Sequence, residues 1–395
     1  MNISFRARVL RYPAKMVPQF ADKIFNSSVD GAQNILDPFC GSGEVMVGAM
    51  NRGINSIGID INPYAVLLSQ VRLEGFDRFM AANILNEFLS IASMECVSIP
   101  IAWSNKSYWF SPRVIEKIEA MRAAAISLRL ARSREGRSVL LAMAQGIRLC
   151  SRADDRSPKP FISKGARAAK EGRHLDPIQI VRSLHESLAS SKYFANRGAQ
   201  AKVFAGDVTG DRVWRNIRAP VSHVVTSPPY LNAQDYFRNF KLELYVMEGL
   251  LPYEVDKIAE NFVGTERGLR KASPTGENVE VHQYLRGLDA SIGAVETKDK
   301  RLGLMMYRYF SDMQKVFSNI GNVLSTTGTI ILVCGDNLVA GIEVKTGAVL
   351  CAILKDFGYK LESTFSDPIL ARSLPPNRTG HLGLIKEETV YKFVA

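Results

Sequence analysis

The sequence predicts an α/β fold: a doubly wound, mostly parallel sheet with an antiparallel edge strand, interrupted by a helical, basic insertion. Three observations carry this. Residues 34–62 read as strand, glycine turn, helix and strand. Strands resume at 202–207, 222–226 and 327–336 with helical segments among them. Between the two regions, residues 101–200 hold 19 Lys and Arg against 8 Asp and Glu, an excess of +11 that equals the net charge of the whole chain.

The first unit opens with NILDPF, residues 34–39, a short apolar strand entering a turn. CGSGEVMVGAMNRG then continues as a helix with Val45, Met46, Val47, Ala49 and Met50 apolar and Gly53 as its stop. NSIGIDIN, residues 55–62, is a second buried strand, and Asn62, Pro63 and Tyr64 start a further helix to about Val71, with Pro63 suited to a first helical position. Such a succession opens a parallel doubly wound sheet.

The insertion interrupts that rhythm. Residues 111–133 have a Ser-Pro start and apolar residues at helical spacing, which predicts one helix; further helices are predicted at 138–151 and 178–191. The stretch RADDRSPKPFISKGARAAKEGRH between them is rich in Gly, Pro and Arg and reads as a long loop. Beyond it, KVFAGD, SHVVT and TGTIILVCGD read as strands, ETVYKFV (388–394) alternates like an edge strand, and helices are expected near 302–324 and 345–357.

At 395 residues with 46% hydrophobic residues, the chain has material for a sizeable core and two or three domains at roughly 150 residues each. Five cysteines lie far apart without a C-x-x-C pair and five histidines are scattered, which gives neither a zinc nor a disulfide framework; no metal is expected. The N-terminal MNISFRARVLRYPAK carries charges and lacks the apolar stretch of a signal peptide, so a soluble, cytoplasmic protein without a membrane partner is expected. The localised positive charge suits a polyanion, since each neutralised phosphate releases counterions.

Candidate functional residues follow from the predicted sheet. DPFCGSG (37–43) follows a strand and opens a helix, so its backbone N–H groups converge where an anionic group can sit. It lacks the Lys-Ser/Thr of a phosphate loop and the G-x-G-x-x-G that a nicotinamide dinucleotide prefers. Asp60 ends the second strand, where a carboxylate can accept both hydroxyls of a ribose, and Asp207 ends the next strand, placed to receive an adenine amino group. Together they outline an adenosine-shaped ligand. At the end of a neighbouring strand stands TSPPY, residues 226–230. Its two prolines stiffen an elbow that aims the Ser227 hydroxyl and the Pro228 carbonyl at an exocyclic amine, while Tyr230 offers a face on which a planar base can stack. An amine conjugated with its ring is a poor nucleophile, and Ser227 is too weak a base to deprotonate it first. The expected chemistry is direct in-line attack on a methyl sulfonium, driven by positioning.

DPFCGSG, GIDIN, AGD and TSPPY, in this order, resemble the amino-methyltransferases that use S-adenosylmethionine, and TSPPY resembles the group acting on N4 of cytosine in DNA. The resemblance spans roughly residues 9–75 and 200–395. It implies a Rossmann-like methyltransferase sheet, with a catalytic domain from 1–80 and 200–395 and the insertion at 81–199 as the DNA-binding or target-recognition region. It implies that Tyr12, Pro13 and Lys15 of RYPAKMVP fold over the methionine end of the cofactor. Asp37, Phe39, Gly41 and Gly43 would border the methionine, Asp60 the ribose, Asp207 the adenine, and Ser227, Pro228, Pro229 and Tyr230 the target base, with Asn62 a further cofactor-binding residue.

The implied partner is double-stranded DNA, within a restriction-modification context that admits a cognate endonuclease; either a monomer or a homodimer is compatible. Serine in place of the acidic or amide residue of adenine-specific relatives favours cytosine, with a purine amine (N6 of adenine or N2 of guanine) in DNA or RNA as the alternative. Cytosine C5 chemistry is disfavoured, because no cysteine follows a proline. Arg129, Arg132, Arg134 and Arg137 are the candidate phosphate contacts for holding a duplex while the base is flipped out. The aromatic group Trp103, Tyr108, Trp109 and Phe110 reads as core rather than as a base wedge. The polar stretch 264–282 is a candidate lid or base-reading loop, with an ordinary surface loop as the alternative.

Overall fold

The structure, a computed structural model, describes Tyr12 and residues 16–155, 157, 159–171, 176–191, 198–218, 220–231, 236–265, 279–369 and 387–395. The chain divides into two compact units. One comprises Met1–Pro13, Asn62–Ala195 and Tyr236–Ile258; the other comprises Ala14–Ile61, Asn196–Asp235 and Ala259–Ala395.

The second unit holds a seven-stranded sheet. Its strands are β1 (Asn34–Asp37), β2 (Asn55–Asp60), β3 (Ala201–Ala205), β4 (Val221–Thr226), β5 (Leu324–Cys334), β8 (Lys360–Pro368) and β9 (Glu387–Val394), in the order β3-β2-β1-β4-β5-β9-β8. A separate hairpin is formed by β6 (Asn337–Val339) and β7 (Ile342–Val344). Strands β1 to β5 pair in parallel, and β9 runs antiparallel to both β5 and β8. The sheet is therefore α/β, mostly parallel, with an antiparallel edge, as the sequence predicts.

Period two along the strands explains the layering. Leu36, Val224, Ile330 and Leu332 enter one core, while Ile35, Val225, Ile331 and Val333 enter another on the opposite face. The second core is closed by α1 (Pro18–Ser28) and α2 (Glu44–Met50) through Phe20, Ile24, Phe25, Val45 and Ala49. The first is closed by α13 (Val279–Leu288), α14 (Ala290–Lys298), α15 (Lys300–Val323) and α16 (Thr346–Asp356). Along α15, Met306, Phe310, Met313 and Phe317 fall at helical spacing and are wholly buried.

The other unit is helical: α3 (Pro63–Glu74), α4 (Arg78–Met94), α5 (Lys106–Trp109), α6 (Pro112–Ser127), α7 (Arg134–Cys150), α8 (Lys164–Glu171), α9 (Pro177–Ala189), α10 (Tyr236–Asn239) and α11 (Lys241–Met247). Helix α12 (Val255–Ala259) crosses its boundary. Helix α7 is central, packed by α3, α4, α9 and α11 and buried through Val139–Ala144. No helix among the described residues is long and apolar enough to cross a membrane.

Three expectations are corrected. The helix expected over 111–133 ends at Ser127; Arg129 adopts a left-handed conformation (φ 50°) and a 3-10 turn, Leu130–Arg132, follows. The stretch expected to be loop contains α8. Residues 388–394 are not the edge strand, because β8, which the sequence did not suggest, pairs outside them. Most of β8 is exposed, so it lacks an apolar run to announce it. Helix α4 also went unforeseen. Within 264–282, residues 266–278 lie outside the described residues.

Candidate active site

In an open α/β sheet the binding crevice lies outside the carboxyl ends of the strands where strand order reverses. Here that point is the β1/β4 pair, held in parallel register by Ile35↔His223 and Leu36↔Val224. Asp37 ends β1 and Thr226 ends β4. The Thr226 hydroxyl donates to Asp37 Oδ1 at 2.8 Å, and the Phe39 N–H donates to the same oxygen at 3.1 Å. Both side chains are buried, Asp37 at 3% and Thr226 at 1% exposure. DPFCGSG and TSPPY are thereby tied at one edge of one sheet.

The glycine turn is shaped by its backbone. Gly41 (φ 49°) and Gly43 (φ 77°) both occupy the left-handed region that side chains disfavour. The Gly43 N–H donates to the Cys40 carbonyl at 2.7 Å, and the Cys40 N–H to the Ile59 carbonyl at 3.0 Å, which lays the turn against β2. Gly58 permits that approach: a Cβ there would stand 2.3 Å from Met46 Sδ and 2.9 Å from Cys40 Cβ. Cys40 is accordingly a buried packing residue.

Asp60 caps the same turn, its Oδ2 accepting from the Gly41 N–H at 2.8 Å. A carboxylate has about four lone-pair positions, so this bond is compatible with accepting hydroxyls as well. Asp207 Oδ1 accepts from the Thr209 N–H at 2.8 Å and its hydroxyl at 2.7 Å, and the adjoining Gly206 N–H donates to the Asp60 carbonyl at 3.0 Å. The two aspartates thus stand at adjacent strand ends, each oriented by the turn that follows.

Burial dominates the electrostatics of Asp37. It raises the carboxyl from 3.8 to about 7 against the opposing bonds from Thr226 and Phe39, and nearby Asp60 adds to the rise. Asp37 therefore titrates near neutrality.

Beyond Thr226, Pro228 is buried, and Ser227, Pro229 and Tyr230 are half-buried. The Tyr230 hydroxyl donates to Glu388 Oε1 on β9. Burial holds the Glu388 carboxyl above its ordinary value, the Tyr230 bond opposes this, and Asp367 across the strand pair reinforces it. Glu388 fixes one end of the ring that follows the proline elbow. Nothing in the sequence singles Glu388 out beyond its place at the start of the last strand.

Other candidates lie in the helical unit. Asn62 Oδ1 caps α3 by accepting from the Tyr64 N–H at 3.0 Å. Tyr12 stacks on Phe240 with 5.1 Å between ring centroids, and Phe240 stacks on Tyr64 at 4.8 Å. Pro13 and Lys15 lie outside the described residues. Arg129, Arg132 and Arg134 are exposed, whereas Arg137 is half-buried, paired with Glu74 and donating to the Ala131 carbonyl at 3.2 Å.

Part of the insertion's charge is structural. Arg122 is buried and donates to the carbonyls of Ile99, Val246 and Glu248. Arg152 gathers the carbonyls of Ser107 and Phe110. Trp103, Trp109 and Phe110 are core, Trp103 stacked on Tyr245 at 4.5 Å, while Tyr108 is exposed.

The DNA methylase family of the N6/N4 type matches residues 5–71. Type II methyltransferase M.MjaII of Methanocaldococcus jannaschii is 38% identical over 79 residues, which is 20% of this chain and 15% of that protein's length. Type II methyltransferase M.AvaI of Nostoc sp. is 21% identical over 367 residues, 86% of this chain and 76% of its own length. Among solved structures, TrmN from Thermus thermophilus aligns over 99% of this chain and 52% of its own, with 10% identity and a TM-score of 0.34. The order of motifs along the chain and the family and Type II likenesses support an amino-methyltransferase of the adenine or cytosine type.

Proposed function

We propose that this protein transfers a methyl group from S-adenosylmethionine to the exocyclic N4 amine of a cytosine flipped out of duplex DNA. The observation that carries the reading is the Thr226–Asp37 hydrogen bond, which joins the elbow to the glycine turn. The residues of the turn suit the donor: Gly41 and Gly43 bring backbone close to a ligand, and Asp60 and Asp207 offer carboxylates at adjacent strand ends. The bound donor supplies an electrophilic methyl on a sulfonium.

The chain does the rest by positioning. Ser227 Oγ and the Pro228 carbonyl accept hydrogen bonds from the amine N–H groups and favour a pyramidal nitrogen, and the prolines limit the motion of those acceptors. As the N–C bond forms, the S–CH3 bond breaks to leave the neutral thioether, and the methylated nitrogen then loses one proton to solvent. Tyr230, held at its hydroxyl by Glu388, presents its ring to the base. Flipping costs a few kcal/mol, which phosphate contacts from exposed arginines of the helical unit offset. The Ser227 position favours cytosine over adenine.

The test separates site from scaffold. Ser227→Ala and Tyr230→Ala are each expected to lose methyl transfer while S-adenosylmethionine binding, followed by calorimetry, stays close to wild type. Full turnover in either variant would remove that residue from the reaction.

A further inference from the structure

We propose that the first turn of α4 and the turn leading into α7 form one duplex-binding patch, in which Arg78, Arg129, Arg132 and Arg134 contact phosphates and Phe79 makes an apolar contact within a groove. The proposal rests on the reading of duplex DNA as substrate and names where on the helical unit that partner docks.

Two contacts join these segments, which are distant in sequence. Arg137 on α7 pairs with Glu74 at the end of α3, and the Asp77 N–H donates to Glu135 Oε1 at 3.2 Å. Residues 74–80 therefore lie beside residues 133–137. These links also engage the local acids internally. Glu74 faces Arg137, Glu135 faces the Asp77 backbone, and Asp77 Oδ1 caps α4 by accepting from the Met80 N–H at 2.8 Å. Arg78, Arg129, Arg132 and Arg134 are all exposed.

The basic turn is held in shape. Leu130 is buried at 2% exposure, and Gly136 packs so closely beneath it that a Cβ there would stand 2.3 Å from the Leu130 carbonyl. The Ser133 hydroxyl accepts from the Gly136 N–H at 2.9 Å, and Arg137 donates to the Ala131 carbonyl at 3.2 Å. A turn fixed in this way presents cations with less ordering cost than a free loop.

Phe79 supplies the second observation. The inner face of α4 buries Ala81, Leu85, Phe88 and Leu89, yet its first turn leaves Phe79 76% exposed and Met80 56% exposed. A lone exposed apolar residue needs no explanation, but two together beside a cluster of arginines match a nucleic-acid contact, where apolar side chains enter a groove or wedge between bases. Aromatic residues, Met and Arg also mark protein–protein interfaces; the concentration of positive charge is what favours a polyanion here.

The experiment is fluorescence anisotropy of the full chain with a short labelled DNA duplex over a range of salt concentrations, without methyl donor. Arg132→Ala and Arg134→Ala are each expected to weaken binding several-fold and to flatten the slope of log K against log salt by about one. Phe79→Ser is expected to weaken binding with the slope unchanged. Arg132→Gln serves as a milder variant, and circular dichroism melting checks folding. Arginine variants that keep wild-type affinity and slope would overturn the patch while leaving the methyl-transfer reading intact. A wild-type chain without affinity for duplex DNA would overturn both.

Discussion

Thr226 and Asp37, 189 positions apart in the chain, share a buried hydrogen bond of 2.8 Å. It is formed by side chains at the ends of two adjacent parallel strands, so any shift of β4 along β1 would break it. Replacing Thr226 with Val keeps the shape and removes the donor. This is expected to cost about 1–3 kcal/mol of stability and to weaken methyl-donor binding. Urea unfolding and calorimetry check the two effects.

The same carboxyl sets a pH dependence. Its folded-state value of about 7 lies above the ordinary 3.8, so the folded state binds the proton more tightly than the unfolded chain. The stabilisation is complete below about pH 4, declines as pH rises towards neutrality and is gone above the folded value, a change of up to roughly 4 kcal/mol. Asp37→Asn cannot titrate, so its stability relative to wild type should improve between about pH 5 and about pH 8. Denaturant curves for both proteins at the two pH values measure this; a constant difference would contradict it.

Tyr230 and Glu388 predict a graded series. Tyr230→Phe keeps the ring and loses the anchor, so transfer should fall several-fold. Tyr230→Ala should weaken base binding by about 1–3 kcal/mol. Glu388→Gln retains an acceptor for the Tyr230 hydroxyl and should lie nearer to wild type than Glu388→Ala. Steady-state kinetics on a DNA substrate order the four variants.

Gly58 gives a test of the turn's packing. A methyl group there collides with Met46 Sδ, which can move, and with Cys40 Cβ, which is part of the turn itself. Gly58→Ala should cost about 1–3 kcal/mol by overpacking and weaken donor binding, read by thermal melting and calorimetry.

What the sequence discloses depends on how locally a feature is determined. Strand β1, most of β4 and β5 from Gly328 onward are buried on both faces and show apolar runs, and Asn62-Pro63 announces the start of α3. The break after Ser127 is not written in the apolar pattern, because Leu130 turns inward to meet Gly136. Glu388 and Glu74 acquire their partners only through tertiary folding. Charge is the most misleading signal, since Arg122 and Arg152 count towards the basic excess yet serve as ties between backbone segments.

Incubating the protein with duplex DNA and labelled S-adenosylmethionine, then digesting to nucleosides for mass spectrometry, shows whether the serine-proline elbow delivers a cytosine amine to the methyl donor. The label is expected in N4-methylcytosine. Label in N6-methyladenine, or incorporation into RNA alone, would contradict it.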